Sequence, residues 1–361
     1  MKICFIAPAN SIHTIKMCKW FAAQGHIIDV ISFEKDTRVN PYAKIHTIPV
    51  GFDPKTASNI SKLQYLIHGK KLRKIVEKIN ADIINVHYAS SYGSAAALAG
   101  IGKYILSVWG SDIFSFPNYS FFHRQLIQFS LRHAECIFST SNAMAKETRK
   151  YTDKPIFIIP FGVDAILFHP YERKKRTDFV VGTVKTLTHE YGIGILLQAG
   201  AILRKNNPEI PLRLRIAGTG IDESELKSLA KQLDIEEITT WLGFIPQEQV
   251  ALEWANFDVA VIVSNLESFG VAALEAQACA TPLVVSDAPG LLETTLPGVS
   301  SIVIPRNDPH ALADALIQLY RDESLRQKIG AEGRRYISNK YEMNHCFEYM
   351  EEQFEHFLTH I

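Results

Sequence analysis

Two glutamates and a glycine lie close together in the segment 264–287, which reads SNLESFGVAALEAQACATPLVVSD. Glu267 precedes Gly270 at the expected start of a helix, and Glu275 follows within an otherwise apolar run. Glycine lets a ligand approach the backbone, and the free N–H groups of a helix start bind phosphate oxygens. A carboxylate on an apolar helix needs a partner, which the hydroxyls of a ribose or another sugar would supply. The segment therefore predicts a site for a sugar that carries phosphate.

Each acid also fits a structural role when it is taken alone. Glu275 fits a salt bridge or a half-exposed helix face, and Glu267 fits the acidic residue that the helix dipole favours at a helix start. Their occurrence together, on either side of Gly270, favours ligand binding.

The elements that would position these residues are strands and helices in alternation. This order is typical of doubly wound parallel sheets, in which ligands bind beyond the carboxyl ends of the strands. In the first half, apolar β-branched runs predict strands at 3–7, 27–32, 45–50, 82–86, 104–109, 136–140 and 156–160. In the second half, they predict strands at 179–184, 213–217, 238–242, 258–263, 283–286 and 301–304.

Two such series predict an α/β protein with two Rossmann-like doubly wound domains. We place the first domain at residues 1–170 and the second at 171–340, joined by the charged stretch 172–178. In the segment 341–361, Phe347, Met350 and Phe354 recur at helical spacing. We expect this segment to form a long helix that packs back onto the first domain.

The composition is that of a globular protein with a large core. A length of 361 residues favours two domains, and the 47% hydrophobic and 21% charged fractions exclude intrinsic disorder and disulfide-stapled folds. Residues 1–170 carry 20 Lys and Arg against 11 Asp and Glu, whereas the remainder carries 18 against 27. The basic half indicates either an anionic partner or chance segregation of surface charge.

The sequence indicates neither a secretory signal nor a metal centre. The apolar start is short and is broken at Pro8, and no apolar run is long enough to span a bilayer. The five cysteines are scattered without a CxxC pair, and no Asp-x-Asp or HExxH motif occurs. We expect reduced thiols, no metal or other cofactor, and a cytoplasmic protein that is soluble or peripheral on the cytoplasmic membrane face.

The stretch ESFGVAALE resembles the signature of two glutamates separated by seven residues in family 4 retaining glycosyltransferases of the GT-B fold. Other matching pieces occur in the same order: SIHTIKMCKWFAAQGHIIDVIS near the start, SVWGSD at 107–112, IPFGVD at 159–164 and VGTVKTLTHEYGI at 181–193. The resemblance implies two GT-B domains and transfer of a sugar from a nucleotide-sugar to an acceptor.

On the donor side, the resemblance assigns Glu267 to the sugar hydroxyls and Glu275 to the nucleotide ribose. Lys185 would offset the charge that develops on the departing diphosphate, although a solvated loop lysine is the alternative. The other residues expected at the phosphate, the sugar and the base are Thr183, Gly243, Phe244, Ser268, Phe269, Gly270 and Val271.

Several positions depart from the pattern of the family. Thr183 stands where an arginine is common and Tyr191 where a lysine is common, which leaves Lys185 as the lysine of this loop. On the acceptor side, Trp109 replaces a common histidine and either stacks on a sugar or ends its strand as a core aromatic. The acceptor-side candidates are Asn10, Ser11, His13, Trp109 and Asp112.

The segment 62–78 predicts a basic amphipathic helix. Its cations are Lys62, Lys70, Lys71, Arg73, Lys74 and Lys78, against the single acid Glu77. Such a helix fits either an anionic membrane surface or a solvated helix docked on the sheet. Nucleic acid is not expected as a partner, because no groove-reading motif is present.

These observations predict a retaining, metal-independent glycosyltransferase. The expected donor is a nucleotide-sugar, with uridine diphosphate as the nucleotide, and the expected acceptor is a hydroxyl of a glycan or a lipid-linked glycan. The expected role is synthesis of cell-surface polysaccharide or glycoconjugate. Two alternatives stay open: a nucleotide-sugar epimerase or hydrolase of the same architecture, and a non-catalytic subunit that binds nucleotide.

Overall fold

The computed structural model describes residues 1–34, 36–50, 68–172 and 176–360. The chain divides into two compact units, the first formed by Met1–Phe161 and the segment from Cys346 onward, the second by Gly162–His345. The first unit ends at Phe161, whereas the sequence predicts that the first domain ends at residue 170. Val163 explains the difference, because its backbone is bonded to residues of the second unit. The N–H of Val163 donates to the carbonyl of Tyr341 over 2.8 Å, and the carbonyl of Val163 accepts the N–H of Met343 over 3.0 Å.

The first unit contains a parallel sheet flanked by helices. The strands are β1 (Lys2–Ile6), β2 (Ile27–Ser32), β3 (Lys44–Thr47), β4 (Ile83–His87), β5 (Ile105–Val108), β6 (Cys136–Ser139) and β7 (Ile156–Ile158). Within the described residues their order is β3-β2-β1-β4-β5-β6-β7. The helices are α1 (Ile12–Ala23), α2 (Gly69–Ile79), α3 (Tyr92–Leu98), α4 (Ser111–Phe114), α5 (Phe121–His133) and α6 (Asn142–Thr148).

The second unit repeats this architecture. The strands are β8 (Phe179–Val184), β9 (Leu212–Ala217), β10 (Thr239–Gly243), β11 (Val259–Ile262), β12 (Leu283–Ser286) and β13 (Ile302–Ile304). In the described part of the unit their order is β10-β9-β8-β11-β12-β13, again parallel. The helices are α7 (Ile193–Asn206), α8 (Glu223–Gln232), α9 (Gln247–Asn256), α10 (Val271–Ala278), α11 (Pro289–Thr294), α12 (Pro309–Arg321) and α13 (Glu323–Lys340).

The last helix, α14 (Met343–His360), brings its aromatic side chains to the first unit. The ring centroid of Phe347 lies 5.8 Å from that of Trp20, and Phe354 lies 5.5 Å from Phe21 and 5.8 Å from Phe138. The expected return of the C-terminal helix to the first domain is thus confirmed.

Each sheet has a point at which the chain reverses its direction across the strands. In the second unit the chain moves from β8 outward through β9 and β10, then crosses to β11 and continues through β12 and β13. The reversal lies between β8 and β11, and the corresponding point of the first unit lies between β1 and β4. Ligands of doubly wound sheets bind outside the carboxyl ends of the strands at such points.

Candidate active site

A nearly buried ion pair occupies the reversal point of the second sheet. Lys185 comes directly after β8 and Glu267 follows β11, so these residues leave neighbouring strands. The Nζ atom of Lys185 donates to Oε2 of Glu267 over 2.6 Å, and the two side chains are 12% and 9% exposed. Lys185 is therefore a largely buried, paired residue and not a solvated loop lysine.

The surroundings of Lys185 keep its side chain cationic. Burial by itself lowers a lysine pKa, but the nearby carboxylates of Glu267 and Glu275 and the phenol of Tyr191 outweigh it and raise the pKa of Lys185. The ammonium group lies 4.1 Å from the centre of the Tyr191 ring, a cation–π distance. A positive charge is thus held at the reversal point of the sheet.

The loop that carries Lys185 is seated on two glycines that follow β9. Gly218 has a φ of +132°, and a Cβ added there would lie 1.8 Å from the carbonyl oxygen of Lys185. A Cβ at Gly220 would lie 2.0 Å from the carbonyl oxygen of Leu187. Sequence reasoning missed these positions, and the signal for them is the Gly-Thr-Gly run directly after the strand.

The side chain of Glu267 is oriented by a second hydrogen bond and by close packing of its backbone. The hydroxyl of Ser264 donates to Oε2 of Glu267 over 3.1 Å. A Cβ added at Gly290 would lie 2.5 Å from the carbonyl oxygen of Glu267, so glycine is required there for α11 to pack against this loop. The carboxylate is therefore held in one place before any ligand arrives.

Glu275 lies within α10, where residues from Ala272 to Ala278 are buried. Its side chain has a protein partner, because Nε1 of the fully buried Trp254 donates to Oε2 of Glu275 over 3.3 Å. From the sequence, we expect a ribose diol as the partner of this carboxylate. The structure adds an indole N–H from α9, which sequence reasoning missed.

The start of α10 depends on the conformation of Gly270. This residue has a φ of +100°, and a Cβ added there would lie 2.9 Å from a methyl carbon of Leu291. The helix begins at Val271, and Ser268 lies in the loop just before it. The ring of Phe269 is 2% exposed and packs edge-on against Tyr341 at 5.7 Å, so a ligand at this point would meet the backbone of Phe269.

Three further donor-side candidates lie on β8 and at the end of β10. Thr183 lies two residues before Lys185 on β8, is 1% exposed, and has a hydroxyl with no hydrogen-bond partner among the described residues. Gly243 has a φ of +65°, and its carbonyl accepts the N–H of Gly218 over 2.7 Å. Phe244 is 81% exposed, which leaves its ring available for stacking.

The acceptor-side candidates of the first unit centre on a cluster of aromatic rings. Trp109 is 9% exposed, and its ring centroid lies 4.8 Å from those of His87 and Tyr88 and 5.3 Å from that of Phe161. His13 stacks on Phe161 at 3.9 Å and contacts Trp109 edge-on at 5.6 Å. This packing favours the interpretation of Trp109 as a core aromatic at the end of its strand.

The two histidines of this aromatic cluster are neutral. Burial lowers the pKa of His87 to about 3, and burial together with nearby Lys16 lowers the pKa of His13 to about 3. The amide group of Asn85 donates to the carbonyl of Ile105 over 3.2 Å, which leaves its Oδ1 atom as the acceptor 2.7 Å from Nε2 of His87. Nε2 of His87 therefore carries the hydrogen, and Nδ1 is an acceptor.

A small cavity of about 20 Å³ lies beside the aromatic cluster. Its lining includes His87 and Thr140, which are 0% and 3% exposed. The Nδ1 atom of His87 and the hydroxyl of Thr140 have no hydrogen-bond partner among the residues that the structure describes. The volume is about what one water molecule requires.

The remaining acceptor-side candidates are engaged with the backbone. Asp112 is 1% exposed and accepts the N–H groups of Ala89, Trp109 and Gly110 over 2.9, 3.2 and 2.8 Å. Burial raises the pKa of Asp112, and these hydrogen bonds oppose the shift. Asp112 therefore ties the loop after β4 to the loop after β5.

The chain between β1 and α1 carries the other two candidates. The Oγ atom of Ser11 accepts the N–H of His13 over 3.3 Å and caps α1. The carbonyl of Asn10 accepts from Arg38 over 3.0 Å. Both residues thus lie at the carboxyl edge of the first sheet.

The described residues hold no group of three or more His, Cys, Asp or Glu side chains arranged to bind a metal ion. All five cysteines are buried and unbridged. None of the described helices combines the length and the hydropathy required to cross a bilayer.

Comparison with known families assigns both units. Residues 167–336 match the model "Glycosyl transferases group 1", and residues 2–141 match the model "Glycosyl transferase 4-like". The chain is 26% identical over 343 residues to the N-acetyl-alpha-D-glucosaminyl L-malate synthase of Bacillus anthracis. The aligned region covers 90% of this chain and 87% of the relative. The chain is a glycosyltransferase of the GT-B type.

Solved structures confirm the fold of this glycosyltransferase. Sucrose-phosphate synthase from Thermosynechococcus elongatus superposes with a TM-score of 0.82 at 18% identity, over 99% of each chain. The Anabaena protein HepE, solved in complex with UDP and glucose, superposes with a TM-score of 0.81 at 18% identity, over 98% of this chain and 99% of HepE. The predicted pair of Rossmann-like domains is therefore confirmed.

Proposed function

We propose that the second unit of this glycosyltransferase binds a nucleotide-sugar, with uridine diphosphate as the nucleotide. The observation that carries the proposal is the nearly buried pair of Lys185 and Glu267 at the reversal point between β8 and β11. A cation held there before the reaction is suited to the negative charge that develops on a departing diphosphate. HepE, which is similar in fold and was solved with UDP and glucose, supports the choice of nucleotide.

The two glutamates then have separate tasks. Glu267 accepts hydrogen bonds from the hydroxyls of the donor sugar, and Glu275 accepts them from the ribose. The backbone at Gly270 approaches the phosphates, because α10 begins directly after this residue, which has a left-handed φ of +100° and no side chain in the way. Gly243 and the exposed ring of Phe244 flank the base.

The proposed transfer retains the configuration of the anomeric carbon and needs no metal. The acceptor oxygen forms a bond to this carbon on the face from which the diphosphate leaves, and a phosphate oxygen takes the proton of the acceptor hydroxyl. Lys185 and Ser264 both bind Oε2 of Glu267, and the proposal gives this carboxylate a binding role and no nucleophilic one. Lys185 supplies the charge that a metal ion supplies in other enzymes.

The acceptor is proposed to be a hydroxyl of a glycan or a lipid-linked glycan, bound by the first unit near Asn10, Ser11 and His13. The neutral aromatic cluster below this edge suits an uncharged sugar ring. We place the enzyme in the synthesis of cell-surface polysaccharide or glycoconjugate, on the cytoplasmic face of a membrane and touching it through basic α2. Lys62, the first cation of the predicted basic segment, lies outside the described residues.

A thermal-shift titration with UDP, GDP and ADP tests the donor site. A ligand that binds the native state at one hundred times its Kd raises the free energy of unfolding by about 2.7 kcal/mol. We expect UDP to stabilise the enzyme and the Glu275→Ala variant to lose at least about half of this stabilisation. Stabilisation by another nucleotide in place of UDP would contradict the choice of base.

Turnover with a panel of UDP-sugars tests the reaction. We expect proton NMR of the product to report the same anomeric configuration as the donor, and we expect turnover to be unchanged by EDTA. Inversion, or release of free or epimerised sugar in the presence of acceptor, would contradict the proposed reaction.

A further inference from the structure

Two adjacent phenylalanines at the start of α5 project into solvent. Phe121 and Phe122 are 68% and 80% exposed, and their ring centroids lie 6.0 Å apart with an interplanar angle of 74°. Tyr119, two residues before Phe121, is 58% exposed. Single exposed apolar side chains are common on protein surfaces, but a contiguous aromatic group of this kind marks an interaction site.

Three helices of the layer that carries this pair, α2, α3 and α5, are together strongly basic. The helices α2, α3 and α5 pack on one face of the first sheet, because Val76, Ala95 and Ile127 from the three helices belong to one core cluster. These helices hold a single acid, Glu77, which pairs with Arg73 over 2.8 Å. Their exposed cations are Lys70, Lys71, Arg73, Lys74, Lys78, Arg124 and Arg132.

The aromatic pair and the first basic residues lie toward the same edge of the sheet. In a parallel sheet, a helix that connects two strands begins near their carboxyl ends. Helix α5 leads from β5 to β6 and α2 leads into β4, so Phe121 and Lys70 both lie toward the carboxyl edge. This is also the edge of the acceptor-side candidates His13 and Trp109.

We infer that Phe121 and Phe122 are a membrane anchor, inserting between the headgroups of an anionic lipid bilayer while the cations of α2 and α5 bind those headgroups. Charge complementarity selects the occupant, since seven cations against one acid repel a basic partner and attract phosphate-bearing lipids. Aromatic side chains beside a basic surface are the arrangement that holds peripheral proteins at the interface. The inference extends the proposed membrane contact of α2, but vesicle binding, which tests it, is measured without donor or acceptor.

Sedimentation with lipid vesicles tests the anchor. We expect the enzyme to bind vesicles of phosphatidylcholine with phosphatidylglycerol and to bind pure phosphatidylcholine weakly. The double variant Phe121→Ser/Phe122→Ser should bind the anionic vesicles about tenfold less. The matched control is Ile166→Ser/Ile221→Ser, which removes two side chains of the second unit that are 85% and 87% exposed and should leave vesicle binding unchanged.

Two further variants separate insertion from attraction by charge. Lys70→Gln/Lys74→Gln should weaken binding to anionic vesicles and reduce its dependence on salt. In Phe122→Trp, the indole emission should shift to shorter wavelength when anionic vesicles are added. Vesicle binding without this shift would overturn the insertion of the aromatic pair.

Other outcomes bear on the inference separately from the proposed function. Unchanged vesicle binding by the double phenylalanine variant would overturn the anchor, as would self-association that depends on the pair without any vesicle binding. The double variant should keep the thermal stability of the parent and its stabilisation by UDP, because both rings are exposed and lie in the first unit. A parent enzyme that does not bind UDP would contradict the donor-site proposal without affecting the membrane anchor.

Discussion

The carboxyl edges of the two sheets share a topology but hold opposite kinds of chemistry. At the reversal point of the second sheet, Lys185 and Glu267 form a charged pair that is nearly buried. At the corresponding edge of the first sheet, His13 and His87 are neutral and pack among aromatic rings. The second sheet thus holds a positive and a negative side chain at its carboxyl edge, whereas the two histidines at the edge of the first sheet are uncharged.

The difference follows from whether a buried group finds a counter-charge. Lys185 has Glu267 at 2.6 Å, so the attraction outweighs desolvation and the cation persists. His87 has the neutral amide of Asn85, so desolvation is unopposed and the proton is lost. Charge at the second edge suits a diphosphate, whereas a neutral first edge suits an uncharged acceptor.

The largest expected effect comes from removing the charge of the second edge. In Lys185→Met, the kcat/KM for sugar transfer should fall about 100- to 1000-fold, because the departing diphosphate no longer has a cation that stabilises its charge. Steady-state kinetics with the active UDP-sugar measures this loss. Lys185→Arg keeps a cation and should recover part of the rate.

The same substitution leaves Glu267 buried without its counter-charge, so a structural loss must be separated from a catalytic one. The double variant Lys185→Met/Glu267→Gln removes both charges and should recover the thermal stability lost in Lys185→Met. Its transfer rate should remain low. Recovery of rate together with stability would show that Lys185 acts on the fold alone.

Glu275 tests whether the charged edge also selects the nucleotide. In Glu275→Ala, UDP affinity should fall about tenfold or more, because a hydrogen bond to a charged group contributes about 1.5–3 kcal/mol. Glu275→Gln retains an acceptor for the indole N–H of Trp254 and should lose less. Isothermal titration with UDP measures both variants, and equal affinity in all three proteins would exclude Glu275 from the nucleotide site.

The strands of both sheets could be predicted because buried parallel strands are short β-branched runs. The expected strand at 179–184 coincides with β8, whereas the strand expected at 45–50 ends at Thr47 as β3. Pro49 explains the shorter strand, since proline has no N–H to donate to a neighbouring strand. Composition could not place the division at Phe161, which depends on the pairing of Val163 with residues near Tyr341.

The site was predictable in its residue types and not in its contacts. Lys185 and Glu267 were expected as separate ligands of the donor, but their pairing depends on β8 and β11 being neighbours, which no local pattern states. For the same reason, Trp254 could not be foreseen as the partner of Glu275. His87 is the last residue of β4, and its contact with Trp109 follows from the order of β4 and β5, which the sequence does not state.

Because His87 at the edge of the first sheet is neutral, the stability of the enzyme should depend on pH. The pKa of His87 is about 3 in the folded state and about 6.5 in the unfolded state, so the unfolded state binds more protons between these values. The free energy of unfolding should therefore fall as the pH drops from 7 to 5, by about 2 kcal/mol from this residue. His13 is partly exposed and should contribute less with the same sign.

His87→Gln isolates this contribution, because glutamine still donates to Asn85 and does not titrate in this range. Thermal unfolding of the parent and the variant between pH 5 and pH 8 should give curves that converge toward low pH, since only the parent carries the penalty of a buried neutral histidine. Parallel curves would mean that His87 is protonated in the folded enzyme as it is in the unfolded chain, and the contrast between the two edges would fail.

Thr140 gives the smallest effect, and its sign carries the information. The hydroxyl of Thr140 and Nδ1 of His87 both lack protein partners among the described residues, and the cavity that these residues line has the volume of one water molecule. If a water bridges them, Thr140→Val removes a hydrogen bond and should destabilise the enzyme by about 1 kcal/mol. If the cavity is dry, the same substitution relieves a buried unpaired hydroxyl and should stabilise it. We expect destabilisation, and we expect its size to shrink in the His87→Gln background, because that variant has already removed the other partner of the water.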